Sequence, residues 1–193
     1  SHMDQQIGRI LAHLEQTGQA DNTYIFFTAD HGLAVGQHGF MGKQNMYEHS
    51  MRPPLLVAGP GIPEGRREAM EVYLQDLMPT AIEYAGGEVP EWVEFNSLKP
   101  VIEGTQTTSS YPEIYGAYMD LQRMIRVDDY KMIVYPRAGV IKLFDLINDP
   151  LERYNLSGAR SQKERVLEMF GQLQELQAAM GDTLDLSKYR FDL

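Results

Sequence analysis

The sequence predicts an α/β fold followed by a small antiparallel α+β subdomain. Over residues 4–86, helical periodicity and apolar strand-like runs follow the order helix, strand, loop, strand, helix, which is typical of an α/β sheet. Beyond residue 105, short strand-like runs come first and a helix closes the chain. We therefore predict one domain over 4–105 and a second over 106–193. Residues 1–3 (Ser-His-Met) are typical of a remnant of tag cleavage and are set aside.

Composition and charge exclude several classes of protein. Of the 193 residues, 43% are hydrophobic and 23% charged, an ordinary globular balance. The formal net charge of −10 argues against a nucleic-acid partner, because such binding requires cationic side chains against phosphates. No apolar run approaches the roughly 20 residues that span a bilayer. Cysteine is absent, which excludes disulfides, thiolate metal sites and a cysteine nucleophile within these residues.

The first part of the chain places a long polar loop between two apolar runs. A helix over 4–18 is followed by a run at 23–28 that is almost wholly apolar, which predicts a strand buried on both faces, as in a parallel sheet. A second such run covers 54–58. The glycine-rich segment 30–52 between them is too long for an ordinary connection, so we expect it to be functional or disordered.

Capping signals define the later helices. Asp76 is expected to cap a short helix that ends at Gly86, and Ser161 with Glu164 forms a capping-box pattern before the final helix. Between these helices, the β-favouring runs predict short antiparallel strands. The strands are expected over 114–119, 122–127 and 130–135.

Four residues of the long loop are candidates for chemistry. Asp30 and His31 directly follow the first strand, where ligands bind in open α/β sheets, and both can reach a divalent cation. Lys43 offers a mobile positive charge that suits a sulfate or phosphate, and His38 adds a second titratable group. Taken singly, each has a structural alternative: a turn residue for Asp30, a packed ring for the histidines and a solvated side chain for Lys43. Their arrangement together favours a functional site.

The same loop begins a series of ordered motifs. The loop reads F-T-A-D-H-G at 27–32, G-Q-H-G at 36–39 and G-K at 42–43, and R-P-P-L-L-V follows at 52–57. D-L-M-P-T at 76–80 and the strand pair M-I-R with Y-K at 124–131 continue in register. The sequence L-F-D-L-I-N-D-P-L-E-R-Y-N-L ends the series at 143–156. Together these motifs resemble the C-terminal half of the sulfatase family, within the alkaline-phosphatase-like superfamily.

The resemblance implies the following roles. Asp30 and His31 match the pair that helps to hold a divalent ion, normally calcium, although His31 is often asparagine in the family and contact with the sulfate stays open for it. Lys43 matches the lysine that binds the sulfate and offsets charge on the leaving oxygen. His38 matches a loop histidine near the substrate. On this basis we expect Lys43, His31 and His38 to be catalytic, with Lys43 and His38 also binding substrate.

Two features of the family are missing from these residues. Sulfatases of this type use a formylglycine made within a C/S-x-P-x-R motif, and no serine here begins that motif. The two adjacent acidic metal ligands near the N-terminus of the family are absent too. We therefore expect this chain to be the C-terminal fragment of a longer enzyme and to be inactive alone. Its partners are expected to be a sulfated sugar or related sulfate ester, without membrane insertion.

Two other functions remain open at this point. One is a phosphodiesterase or phosphonate monoester hydrolase of the same superfamily, and the other is a non-catalytic binding domain. The fragment is also expected to self-associate through surface that the missing half normally covers, around 23–28 or 30–52. Localisation does not follow from these residues, although the resemblance implies an exported protein.

Overall fold

The computed structural model describes residues 1–191, which divide into two compact units. One unit comprises Ser1–Ala29 and Pro54–Ser110, and the other comprises Asp30–Pro53 and Tyr111–Leu193. In chain order the helices and strands are α1 (His2–Gln16), β1 (Ile25–Thr28), β2 (Ala34–Val35), β3 (Met41–Gly42), α2 (Glu48–Met51), β4 (Leu55–Ala58), α3 (Leu77–Tyr84), α4 (Lys99–Glu103), β5 (Glu113–Tyr118), β6 (Gln122–Val127), β7 (Tyr130–Tyr135), β8 (Val140–Asp145) and α5 (Lys163–Ala179).

In the first unit, β1 pairs with β4 in antiparallel register. The expectation of a parallel arrangement with both faces buried is therefore wrong for these strands. Phe27 lies opposite Leu56, and the two side chains are 38% and 58% exposed. An apolar run thus marks a strand correctly but does not report its direction or how many of its faces are covered. Self-association through this face stays a prediction.

Asp76 has a different role from the cap that the sequence predicts. It is fully buried, and its carboxylate accepts hydrogen bonds from the backbone N–H groups of Tyr73 at 2.8 Å and Asn96 at 3.2 Å. No side-chain capping bond to α3 is formed. One of these N–H groups lies just before the helix and the other lies twenty residues after Asp76. By accepting from both, the Asp76 carboxylate links the connecting segment 90–98 to the start of α3.

The second unit is built on a four-stranded antiparallel sheet in the order β5-β6-β7-β8. Helix α5 packs its apolar side, including Val166, Met169 and Leu173, against this sheet. The helix starts after a 3₁₀ turn at Arg160–Gln162, so the predicted capping box of Ser161 does not form. No helix within residues 1–191 combines the length and the hydropathy that crossing a membrane requires.

The long loop belongs to the second unit, whereas the boundary predicted near residue 105 assigns it to the first domain. The loop contains the short hairpin β2–β3, with Ala34 opposite Gly42, and then helix α2. The N–H of Gly32 donates to the carbonyl of Ser50 at 2.9 Å, which closes the loop on itself. A side chain at Gly32 would place its Cβ 1.9 Å from the carbonyl oxygen of His49, so only glycine permits this approach.

A buried ion cluster fastens the loop to the sheet. The ammonium of Lys131, on β7, is fully buried and lies 2.8 Å from Glu48 Oε1 and 2.7 Å from Glu152 Oε1. The other oxygen of Glu152 accepts the backbone N–H of Glu48 at 2.6 Å, and Arg126 adds a second cation 3.7 Å from Glu48. Lys131 therefore joins three segments: the start of α2, strand β7 and the turn at 149–152.

The two carboxyl groups of this cluster respond differently to burial. Burial tends to raise the pKa of Glu48, but Lys131 and the flanking Arg126 and Arg52 outweigh it and hold that pKa below its usual range. Burial raises the pKa of Glu152 above its usual range in spite of Lys131, and the Glu48 charge adds to the effect. Glu48 is thus the firmer anionic partner of the lysine.

Replacing Lys131 with methionine should strongly destabilise the second unit. The variant leaves two buried carboxyl groups without their shared cation, so we expect the free energy of unfolding to fall by about 3–5 kcal/mol. Urea unfolding followed by circular dichroism measures this. The matched control is Lys188→Met, because the side chain of Lys188 is 75% exposed and its ion pair within residues 1–191 is with Asp185 at 3.6 Å. The control should change stability by less than about 1 kcal/mol, and an equal effect in both variants would refute the clamp.

Candidate functional site

One end of the candidate site consists of two adjacent side chains, Asp30 and His31, which lie just after β1 in the chain. The side chain of Asp30 is 80% exposed, and its Oδ2 lies 3.0 Å from Nε2 of His31. The other carboxylate oxygen accepts the backbone N–H of His31 at 3.0 Å. The carboxylate is therefore fixed beside the imidazole while it remains open to solvent.

The hydrogen bond of His31 to Gly32 leaves its other ring nitrogen close to that carboxylate. Nδ1 lies 2.8 Å from the carbonyl oxygen of Gly32, and since a carbonyl can only accept, Nδ1 carries the proton. In the neutral ring, Nε2 is then an acceptor, and Asp30 Oδ2, a second acceptor, lies 3.0 Å from it without hydrogen-bond geometry. A cation near both atoms would relieve this contact. The Asp30 carboxylate suits one side of a divalent-ion site.

These two residues do not complete such a site by themselves. Within residues 1–191 there is no group of three or more histidine, cysteine, aspartate or glutamate side chains placed to hold a metal. The sequence-based metal ligands Asp30 and His31 are thus brought together, but without further protein ligands from the described part of the chain.

His38 is held in an unusual backbone conformation by contacts on two sides. Its φ of 53° lies in the left-handed region. Its Nε2 lies 3.0 Å from the carbonyl oxygen of Leu151, and its ring stacks on the buried ring of Tyr47 with centroids 3.9 Å apart. The hydroxyl of Tyr47 accepts a hydrogen bond from Lys142 at 2.9 Å. This ring therefore has a fixed position on the loop surface.

Lys43 is the free cation of the loop. It is exposed, it follows Gly42 at φ 117°, and its ammonium forms no hydrogen bond or ion pair with residues 1–191. The turn that presents it is ordered by its own carbonyl, which accepts the N–H of Asn45 at 2.8 Å. An unpaired ammonium on an ordered turn is suited to bind an anion. No described hydrogen bond or ion pair joins it to Asp30, His31 or His38.

A third histidine lies beside this cluster. The ring of His49 stacks at 5.7 Å from both His38 and Tyr47. Burial lowers the pKa of His49, and the neighbouring His38 and Lys131 lower it further. This environment therefore favours the neutral form of the His49 ring.

Sequence reasoning missed the residues that support the loop, namely Tyr47, Glu48, Lys131 and Glu152. A signal existed for Lys131, since a lysine within the apolar run Y-K-M-I-V-Y at 130–135 suggests a buried partner. Glu152 stands in the D-P-L-E motif, but spacing alone does not indicate that it meets a lysine on a strand.

Comparison with known proteins identifies the family. Residues 36–179 match the family described as N-sulphoglucosamine sulphohydrolase, C-terminal. The chain is 34% identical over 193 residues to an N-acetylglucosamine-6-O-sulfatase of Bacteroides thetaiotaomicron, covering 93% of the chain and 34% of the relative. It is 35% identical over 161 residues to a choline-sulfatase of Rhizobium meliloti, covering 81% of the chain and 31% of the relative.

Solved structures agree with these matches. A protein in complex with its substrate D-glucosamine-2-N,6-O-disulfate superimposes with a TM-score of 0.84 at 32% identity, covering 93% of this chain and 39% of that one. A phosphonate monoester hydrolase of Agrobacterium radiobacter gives a TM-score of 0.75 at 27% identity, covering 91% and 39%.

The chain spans about a third of the length of the curated relatives it matches. The α/β class and the match to the C-terminal part of sulfatases are both confirmed. The chain belongs to the sulfatase family, and it corresponds to the C-terminal portion of its members.

Proposed function

We propose that the intact parent enzyme hydrolyses a sulfuric ester, of a sulfated sugar or a related organic sulfate. The observation that carries the proposal is the unpaired ammonium of Lys43, presented on the same loop that opens with Asp30 and His31. A lysine of this kind binds a tetrahedral oxyanion. The neighbouring pair, Asp30 and His31, suits the divalent cation that accompanies such an anion. The sulfated substrates of the relatives support the class of ester.

In this proposal Asp30 and His31 supply two ligands of a divalent ion, calcium by family resemblance. A bound ion of this kind acts as a Lewis acid toward the sulfuryl oxygens. Asp30 contributes a carboxylate oxygen, and the Gly32 carbonyl keeps Nε2 of His31 unprotonated and available as a ligand. If the ion is held without the imidazole, His31 would instead contact the sulfate.

Lys43 and His38 act on the substrate itself. The Lys43 ammonium would bind a sulfate oxygen and offset the negative charge that develops on the leaving oxygen. His38 would contact the substrate from its fixed position above Tyr47. The nucleophile, expected to be a formylglycine, would come from a part of the enzyme outside these residues, which contain neither cysteine nor a Ser-x-Pro-x-Arg motif.

A phosphodiesterase or phosphonate monoester hydrolase is the second candidate. It is favoured by the structural similarity to the hydrolase of Agrobacterium radiobacter. Phosphoryl and sulfuryl groups are both tetrahedral oxyanions, so Lys43 would serve either. Assay of the parent enzyme on an aryl sulfate and an aryl phosphodiester separates the two, and faster hydrolysis of the diester would favour the second candidate.

Removing the ammonium of Lys43 should impair catalysis without impairing folding. In the parent enzyme, Lys43→Ala is expected to lower kcat on an aryl sulfate by about 100-fold or more, because a donor to developing charge is lost. The thermal midpoint should stay unchanged, since this ammonium contacts no described residue. Lys188→Ala is the matched control on the surface. A loss of folded protein that parallels the loss of activity would contradict the role.

Activity of the parent enzyme should depend on calcium through Asp30. Chelation is expected to abolish the release of sulfate, and added calcium is expected to restore it. The Asp30→Ala variant should show neither activity nor rescue by calcium, because the hard cation loses its carboxylate ligand. Asp21→Ala, on an exposed 3₁₀ turn, is the control. Full calcium-dependent activity in Asp30→Ala would reject the metal assignment.

The 193-residue chain on its own should release no sulfate. It contains the proposed lysine, two proposed metal ligands are found within residues 1–191, and the sequence lacks the nucleophile motif. Incubation of the pure chain with an aryl sulfate and calcium, followed by sulfate determination, tests this. Turnover proportional to the amount of chain would refute it.

A further inference from the structure

The position of the Lys43 ammonium depends on the backbone that carries it. The side chain is exposed, and its ammonium has no hydrogen bond or ion pair within residues 1–191. A lysine side chain is a flexible four-carbon stem, so the turn at its base determines the region that the charge can reach. On one side of the lysine this turn is set by Gly42, whose φ of 117° favours glycine.

On the other side of the lysine, the peptide group that joins Gln44 and Asn45 is held at both ends. Its N–H, that of Asn45, donates to the carbonyl oxygen of Lys43 at 2.8 Å. Its carbonyl oxygen, that of Gln44, accepts a hydrogen bond from Nε2 of Gln122 at 3.1 Å. Because a peptide group is planar, the two bonds together fix its orientation. The carbonyl group of Lys43 is thus linked through one peptide group to a side chain of the sheet.

The side chain of Gln122 is buried around this contact. The residue begins β6 and is 8% exposed. A carbonyl oxygen only accepts, so the contact with Gln44 places the NH₂ group of the amide on that side. The amide oxygen of Gln122 is buried and has no hydrogen-bond partner within residues 1–191. An unpaired buried oxygen costs stability, so packing alone does not explain a glutamine here, whereas its bond to the turn does.

We propose that Gln122 is a positioning residue for Lys43. Its amide holds the 44–45 peptide group against the sheet and thereby limits the region in which the Lys43 ammonium is found. The assignment rests on the proposed function, in which that ammonium binds a sulfate oxygen and offsets charge on the leaving oxygen. Gln122 acts through the backbone of the turn and needs no contact with the substrate. A charge that is placed in advance loses less freedom when the substrate binds.

Gln177 offers a control of the same chemistry in the same unit. It lies on α5, is 5% exposed, and donates from Nε2 to the carbonyl oxygen of Leu184 at 2.7 Å. Replacing either glutamine with methionine removes one buried hydrogen bond from an amide to a carbonyl and keeps an unbranched side chain. The thermal midpoints of Gln122→Met and Gln177→Met should therefore fall by similar amounts, whereas the turn at Lys43 should loosen in Gln122→Met alone.

The contact with the turn can be tested on the 193-residue chain, without any activity. In amide hydrogen exchange followed by NMR, the Asn45 amide should be protected in the unchanged chain. It should exchange about fivefold faster in Gln122→Met, the value of one hydrogen bond, and at the unchanged rate in Gln177→Met. An unprotected Asn45 amide in the unchanged chain would overturn the proposal without any variant, and so would equal exchange rates in the two variants.

The effect on catalysis is tested in the parent enzyme with a double-mutant cycle. Gln122→Met should lower kcat on an aryl sulfate by about fivefold, and Gln177→Met should leave it within about twofold. In the Lys43→Ala background, Gln122→Met should cause no further loss, because the group that it positions is already absent.

A purely structural role of Gln122 gives a different result in this cycle. The substitution would then lower kcat by the same factor with and without Lys43, which would refute the positioning role. A wild-type parent enzyme without sulfatase activity would reject the proposed function, while the exchange rates would still decide whether Gln122 holds the turn.

Discussion

The arrangement of the loop depends on the buried ammonium of Lys131. A lysine with no solvent contact is tolerated only when its charge is balanced, and here Glu48 and Glu152 balance it from two different segments. Glu48 begins α2 within the loop, and Glu152 stands in the turn after β8. Because one buried lysine binds carboxyl groups from two other segments, α2, β7 and the turn after β8 are held in one geometry.

This geometry determines which atoms the loop presents. The turn that carries Glu152 also carries the Leu151 carbonyl, which holds the imidazole of His38. Helix α2 directly follows Tyr47, whose ring supports the same imidazole. The ion cluster thus helps to position His38 through these two neighbours. A loop this rich in glycine would otherwise have a large conformational entropy to lose on binding.

At the other end of the loop, the proposed metal site would take two ligands, Asp30 and His31, from residues 1–191. Two acceptor atoms, Asp30 Oδ2 and Nε2 of the neutral His31 ring, lie 3.0 Å apart there, and a nearby cation would stabilise this arrangement. The close approach of Gly32 to His49 and Ser50 fixes the backbone directly after Asp30 and His31. The relatives are about three times as long as the matched region.

The sequence by itself determined the family and the fold class, because the loop motifs and the 143–156 signature are ordered and widely spaced along the chain. It also placed most strands and helices, since apolar periodicity reports which residues are buried locally. It was wrong about the direction of β1 relative to β4 and about the caps at Asp76 and Ser161, because pairing direction and capping bonds depend on groups that arrive from elsewhere. Only the tertiary structure decided that Lys131 lies between Glu48 and Glu152 and that the ring of His38 meets the carbonyl oxygen of Leu151. The contacts of Lys131 with Glu48 and of His38 with Leu151 join residues 83 and 113 positions apart, which local sequence patterns do not encode.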